Sequence, residues 1–229
     1  MTERHLPSAS MKTADLVNLD FDLLGVLTRM GIPIRFGEET VAETCRRHGV
    51  DVDTFLLICN VYVIDGYRPT ADVLEKADLH DIVRYLHQSH AYYMDAALKD
   101  LASALEDMIQ PCGDSHKRII WKFFSDYKDE LAKHFEYEEK AVFPLAEAVL
   151  GHTTAHDGPD GHGEDHSNME EKLADLKNLV MKYMPPQCDQ KGIYRALFYI
   201  FTFEKDLEKH TFIEDQILSP IVKHLEADE

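Results

Sequence analysis

The pattern H-x-x-x-E-x-x-x-x-x-P occurs twice in this chain. His134-Phe-Glu-Tyr-Glu138 runs on to Pro144, and His210-Thr-Phe-Ile-Glu214 runs on to Pro220. The copies are 76 residues apart, and the match extends to Leu131 and Lys133 over Leu207 and Lys209. Downstream, Glu139 stands over Asp215. A His and a Glu four residues apart share one face of a helix, one turn apart. In the first copy the apolar stripe reads Ile120, Phe124, Tyr127, Leu131, then His134 and Glu138, then Ala141 and Leu145. In the second it reads Ile200, Phe203, Leu207, His210, Glu214, Ile217, Ile221. Steps of three and four mark the face of a helix that packs against a core. An unpaired carboxylate buried there costs several kcal/mol or is forced neutral. Placing one there twice, at the same offset from an imidazole, points to a shared cation.

The remaining pattern is helical. Thr13 to Met30 predicts an amphipathic helix closed by Gly31-Ile-Pro33, and Glu38 to Gly49 a second. A third, capped by Asp51 or Asp53, runs through Phe55, Leu56, Ile58 and Val61. Gly66-Tyr-Arg-Pro69 breaks the pattern. Residues 1–70 therefore read as a small helical module, marginal alone, that docks on the later helices or forms a homodimer contact. Residues 71–229 carry four long helical patterns, at Leu79–Met108, Ser115–Leu150, Glu164–Met184 and Lys191–Leu225. No stretch alternates with the two-residue period of a strand. The expected fold is all-α, an up-down-up-down four-helix bundle behind a small helical module. Pro144 and Pro220 fall late in their helices and should kink them or fray the last turn.

Each half of the bundle offers a His in stripe and then one H-x-x-x-E. His87 goes with His134 and Glu138, and His166 with His210 and Glu214, at intervals of 47 and 44 residues. Four imidazoles and two carboxylates exceed the four ligands that one zinc takes. They suit two first-row metals with both carboxylates bridging, and iron or manganese fits the mixed donor set. His90 reads as a packed residue or as one that holds a ligand in orientation. His152, His156 and His162 read as a solvated loop between Gly151 and Gly163 rather than a second site.

These motifs resemble those of the hemerythrin-like HHE cation-binding domains, and more closely those of the RIC (repair of iron centres) di-iron family. Tyr85-Leu-His-Gln-Ser-His90 is similar to that family's first-helix motif, whose ligand is the first of its two His. Lys133 to Pro144, Glu164-Asp-His166 and His210 to Pro220 are similar to the other three. The resemblance implies two non-haem iron ions, oxo- or hydroxo-bridged, held by His87, His134, Glu138, His166, His210 and Glu214. It further implies an acidic residue one turn before the second-helix His, where Glu130 stands as an extra ligand or proton acceptor, with Asp165 in a similar part. The residues from Gly37 to Asp51 look like the family's N-terminal module, but the adjacent Cys pair that precedes it there is replaced by Ile34-Arg35. The function implied is repair of iron–sulphur clusters damaged by nitric oxide or oxidative stress, with damaged iron–sulphur proteins as partners and nitric oxide or oxygen as small ligands. A hemerythrin-like oxygen or nitric oxide binding or sensing protein, or a nitric oxide reductase, stands as the alternative, so an enzymatic role stays open.

Charge bears on the partners. With 42 acidic and 24 basic residues the formal charge is −18, which argues against nucleic acid and anionic membranes. No apolar run is long enough to span a bilayer and no secretory signal is visible, so a cytoplasmic location is expected. Cys45, Cys59, Cys112 and Cys188 are scattered without a C-x-x-C pair and read as free thiols.

Overall fold

The computed structural model describes residues 6–150 and 162–227; the side chains of Leu150 and of residues 162–167 lie outside the described residues. The fold is all-α, and among the described residues the sole β pairing is an isolated antiparallel bridge between Lys12 and Thr40. The helices are α1 (Thr13–Val17), α2 (Leu23–Arg29), α3 (Val41–His48), α4 (Val52–Val63), α5 (Ala71–Leu74) and α6 (Leu79–Tyr92). They continue as α7 (Leu98–Ile109), α8 (Asp114–Tyr137), α9 (Phe143–Leu150), α10 (His162–Lys182), α11 (Gln190–Ile213) and α12 (Ser219–Ala227). Three π-helical turns, Tyr93–Ala97, Glu138–Val142 and Glu214–Leu218, link α6 to α7, α8 to α9 and α11 to α12. Among the described residues, no helix is long and apolar enough to cross a membrane.

The chain divides into two compact units. The first comprises Met1–Ser89, Phe143–His156 and Lys209–Glu229. Its α3 starts on a reciprocal cap, Thr40 with Glu43, and ends at Gly49, whose φ of 65° suits a residue without a Cβ. Asp51 caps α4 by accepting the Thr54 N–H at 2.8 Å. These short helices are fastened to α6: the Asp51 N–H donates to Asp81 at 2.7 Å, and the Asp78 N–H to the Thr54 hydroxyl at 2.7 Å. The single helix expected from Thr13 to Met30 is broken at Asn18–Asp22. There the Asp20 carboxylate accepts the Asp22 N–H at 2.9 Å, a local turn that competes with the helix.

The second unit comprises His90–Val142 and Asp157–Glu208. One core joins residues of all four of its helical segments, from Leu98 and Leu105 through Ile120 and Leu131 to Leu173 and Ile200. The duplication read in the sequence is built into that core. Helices α8 and α11 are both 24 residues long, begin 76 residues apart, and pass into π turns of 5 residues each. Ile120 and Ala196, Phe124 and Ile200, Tyr127 and Phe203, and Leu131 and Leu207 are equivalent at that offset, and all eight are buried. Tyr127 and Phe203 meet edge to face with ring centroids 6.0 Å apart.

Pro144 and Pro220 do not fray the last turn of a helix. Each stands in the first turn of a helix that continues, directly after a π turn. Proline lacks an N–H and its ring collides with the carbonyl four residues back, here that of Lys140 or Gln216. Both carbonyls lie inside the π turns, whose wider winding accommodates the ring. The π turn at Tyr93–Ala97 has no proline.

Candidate metal centre

Helix α8 carries His134 into its last turn and hands Glu138 to the π turn. His134 Nε2 lies 3.0 Å from Glu138 Oε1, and both side chains are buried. The second carboxylate oxygen of Glu138 faces His90 Nε2 at 3.2 Å. His90 is braced from behind, its Nδ1 2.8 Å from Glu139 Oε1 and its ring stacked on Phe135 at 3.9 Å and 15°. A π turn begins three residues after His90 and another at Glu138 itself. Such turns re-aim side chains and recur at functional sites. The second copy repeats the pairing: His210 Nε2 lies 2.8 Å from Glu214 Oε1, both are buried, and the π turn again begins at the Glu.

His90, Glu138, His210 and Glu214 form a buried group that could hold a metal ion, with one ligand atom from each and all four atoms within 4.8 Å of one another. The donor chemistry fits a cation. A carboxylate buried beside an imidazole is costly to ionise alone, and this pairing occurs twice; a cation beside each carboxylate removes the penalty. Imidazole nitrogen with carboxylate oxygen suits iron, manganese or zinc rather than calcium or magnesium.

The expected ligands fare differently. His134, Glu138, His210 and Glu214 stand buried as paired donors. His87, the expected first-helix ligand, is exposed, and His90, one turn later, occupies the group instead. The buried face of α6 runs Ile82, Tyr85, Leu86, Ser89, and His87 falls just off it. A sequence signal for His90 existed: the offset of 76 that relates the two H-x-x-x-E copies also relates His90 to His166. The intervals His90 to His134 and His166 to His210 are then both 44 residues. Glu139 as the brace of His90 carried no such signal. His166 and Asp165 lie on α10, but their side chains are outside the described residues, as are His152, His156 and the His162 side chain. Glu130 is not part of the group among the described residues. It pairs with Lys172 at 2.8 Å and accepts from Asn168 at 3.2 Å. The Lys172 ammonium holds its carboxyl below the usual range.

The hemerythrin HHE cation binding domain model matches residues 81–222. The chain belongs to that family. This hemerythrin-type chain is 24% identical over 191 residues to a Salmonella typhimurium protein named Iron-sulfur cluster repair protein YtfE, covering 80% of this chain and 83% of the relative. Proteins of the same name from Salmonella paratyphi B and Salmonella newport are each 23% identical over the same span. Membership brings with it the cation-binding character of the domain and a hemerythrin-like helical bundle, in accord with the all-α fold and the buried His/Glu group.

Proposed function

We propose that this chain holds two iron ions and repairs iron–sulphur clusters damaged by nitric oxide or oxidative stress. The observation that carries the reading is the setting of His90, with Nε2 turned to Glu138 while Glu139 holds Nδ1. Metal-ligating histidines are oriented in this way, by a carboxylate on the second ring nitrogen. The name shared by the Salmonella relatives supports the same activity. The residues that would hold the iron are His90, His134, Glu138, His166, His210 and Glu214, with His90 in place of His87.

Bound iron would supply a centre able to take up nitric oxide or oxygen and to change between ferrous and ferric. The chain's own part is orientation and exclusion of water. Phe135 covers one face of His90, and Tyr93 packs on Phe135 with centroids 5.8 Å apart. Glu130, kept ionised by Lys172, contributes negative charge one turn before His134 and is a poor proton acceptor at neutral pH. Residues 71–229 would hold the iron, and residues 1–70 would form the module docked on it. The partners would be damaged iron–sulphur proteins of the cytoplasm.

The test is elemental analysis after anaerobic loading with ferrous ion and desalting, followed by incubation with a nitric oxide-damaged iron–sulphur hydro-lyase. We expect about two irons per chain and recovery of hydro-lyase activity, with both lost in Glu138→Ala and Glu214→Ala while far-UV circular dichroism persists. Full iron retention in both variants would overturn the assignment of these two carboxylates as ligands. A stable oxygen adduct reversed by degassing, without hydro-lyase recovery, would overturn the repair reading in favour of oxygen binding.

A further inference from the structure

The scattered spacing of Cys112 and Cys188 suggests free thiols, but the structure joins them in a disulfide with Cα atoms 5.4 Å apart. They are 76 residues apart, the same offset that relates His134 to His210. They are therefore equivalent residues of the two copies, and their local settings match. The Cys112 N–H donates to the Ile109 carbonyl at 2.9 Å, and the Cys188 N–H to the Pro185 carbonyl at 3.0 Å. Cys112 closes the turn between α7 and α8, and Cys188 the turn between α10 and α11. The bond thus ties one helical hairpin of the second unit to the other.

These turns are held together by more than the sulphur bond. The Asp189 N–H reaches the Met108 carbonyl at 3.4 Å, and Asp189 caps α11 by accepting the Gly192 N–H at 2.6 Å. Gly192 lies so close to the Met108 backbone that a Cβ there would stand 2.6 Å from Met108 Cα. With the bond open, these contacts keep the two cysteines at a separation that a disulfide spans without backbone movement. The Met108 carbonyl, 3.8 Å from Cys112 Sγ, is placed to accept the thiol proton. Both cysteines are nearly buried, but each is followed by an exposed residue, Gly113 or Asp189, at the rim of the unit.

We infer that Cys112 and Cys188 form a reversible thiol–disulfide switch, opened by low-molecular-weight thiols and closed by low-molecular-weight disulfides, that fastens the two hairpins together when the surrounding thiol pool is oxidised. In opening, one thiolate attacks a sulphur of the Cys112–Cys188 bond and forms a mixed disulfide. A second small thiol then releases the remaining protein thiol. Two small thiols become one small disulfide, two electrons pass to the protein, and each cysteine sulphur gains a proton. The other two cysteines take no part. Cys45 and Cys59 are buried and unbonded, burial pushes the Cys45 thiol up to about 12, and Cys59 is also raised well above its ordinary value. Thiols so raised are poor nucleophiles at neutral pH. The inference is independent of the metal reading.

The test uses the full chain, equilibrated without oxygen in buffers of varied glutathione to glutathione disulfide ratio. Alkylation and peptide mass analysis then read the state of each cysteine, and thermal unfolding reads stability. We expect Cys112 and Cys188 to change together from labelled to linked as the ratio falls. Opening a bond across this span should lower Tm by about 5–15 °C. Reduced wild type, Cys112→Ser and Cys188→Ser should then share the lower Tm, and Cys45→Ser should leave the redox response unchanged. A pair that stays linked in fully reduced glutathione is a permanent staple, and one that stays free in the fully oxidised buffer is no switch; either outcome overturns the inference. Equal Tm for oxidised and reduced wild type overturns the fastening role, whatever the serine variants do.

Discussion

His90 Nε2 lies 3.2 Å from Oε2 of Glu138, and both side chains are almost fully buried. His87, one turn earlier on the same helix, is exposed. If His90 is the ligand from this helix, His90→Ala lowers bound iron by about half or more, while His87→Ala leaves it near the wild-type level. The comparison is made by elemental analysis on identically loaded proteins, with circular dichroism to confirm folding. Loss of iron in His87→Ala with retention in His90→Ala would restore His87 as the ligand.

The distinction between those two histidines marks the limit of what is legible in the sequence. Apolar residues spaced three and four apart dictate a helix locally, so the four long helical stretches spanning α6 to α12 and the buried stripes through His134 and His210 come from pattern alone, but not the three π turns that divide those stretches. His87 and His90 differ by only about 60° around a helix, which a stripe cannot resolve. A stricter use of the repeat could, because His166 maps onto His90 at the offset of 76. The same offset maps Cys112 onto Cys188, yet their bond depends on how two distant turns meet, and spacing within one turn is silent about that. The break at Asn18–Asp22 escapes the pattern because a single Asp side chain outweighs a helical apolar periodicity where few helical bonds are lost.

Arg29 ties α2 to α6. It is 6% exposed, and its Nη1 donates to the Tyr62 hydroxyl at 3.3 Å and to the Tyr85 hydroxyl at 3.2 Å. Those hydroxyls are themselves 2.8 Å apart. Arg29→Ala removes charge-assisted hydrogen bonds and opens a cavity beneath α2, so it should cost about 3 kcal/mol. It should also speed proteolysis within residues 1–70. Urea unfolding and limited proteolysis read both, and a wild-type midpoint in Arg29→Ala would show that the N-terminal helices are held by apolar packing alone.

Glu130 and Lys172 give the chain a defined acid response. Folding lowers the Glu130 pKa from its ordinary value of 4.5, chiefly through the Lys172 hydrogen bond. The unfolded chain therefore binds the proton first as pH falls. The stabilisation is fully present above about 4.5 and is lost as pH falls through the lower folded value. Glu130→Gln should reduce stability at pH 7 by about 0.2–1 kcal/mol, the range of partly exposed pairs. The gap from wild type should narrow as pH falls below about 4.5 and close once pH is below the lowered folded value. Denaturant unfolding at a series of pH values checks this. A gap that widens on the acid side would mean that Glu130 is stabilised in its neutral form and the assigned pairing is not the one that matters.

Gly192 should respond to alanine against the usual rule. In a helix interior Gly→Ala ordinarily stabilises by roughly 0.5–1 kcal/mol. Gly25, on α2, should obey that rule, since its added Cβ would meet the Arg29 guanidinium at an ordinary 3.6 Å. At Gly192 the Cβ would stand 2.6 Å from Met108 Cα and 2.9 Å from its backbone N. Backbone cannot yield as a flexible side chain can, so α11 must shift away from α7, carrying with it the turn that holds Cys188. We expect Gly192→Ala to destabilise by about 1–3 kcal/mol, lowering Tm by roughly 3–10 °C. Gly25→Ala should leave Tm unchanged or slightly raised. A stabilised Gly192→Ala would mean that the approach of α11 to the end of α7 is looser than these distances require.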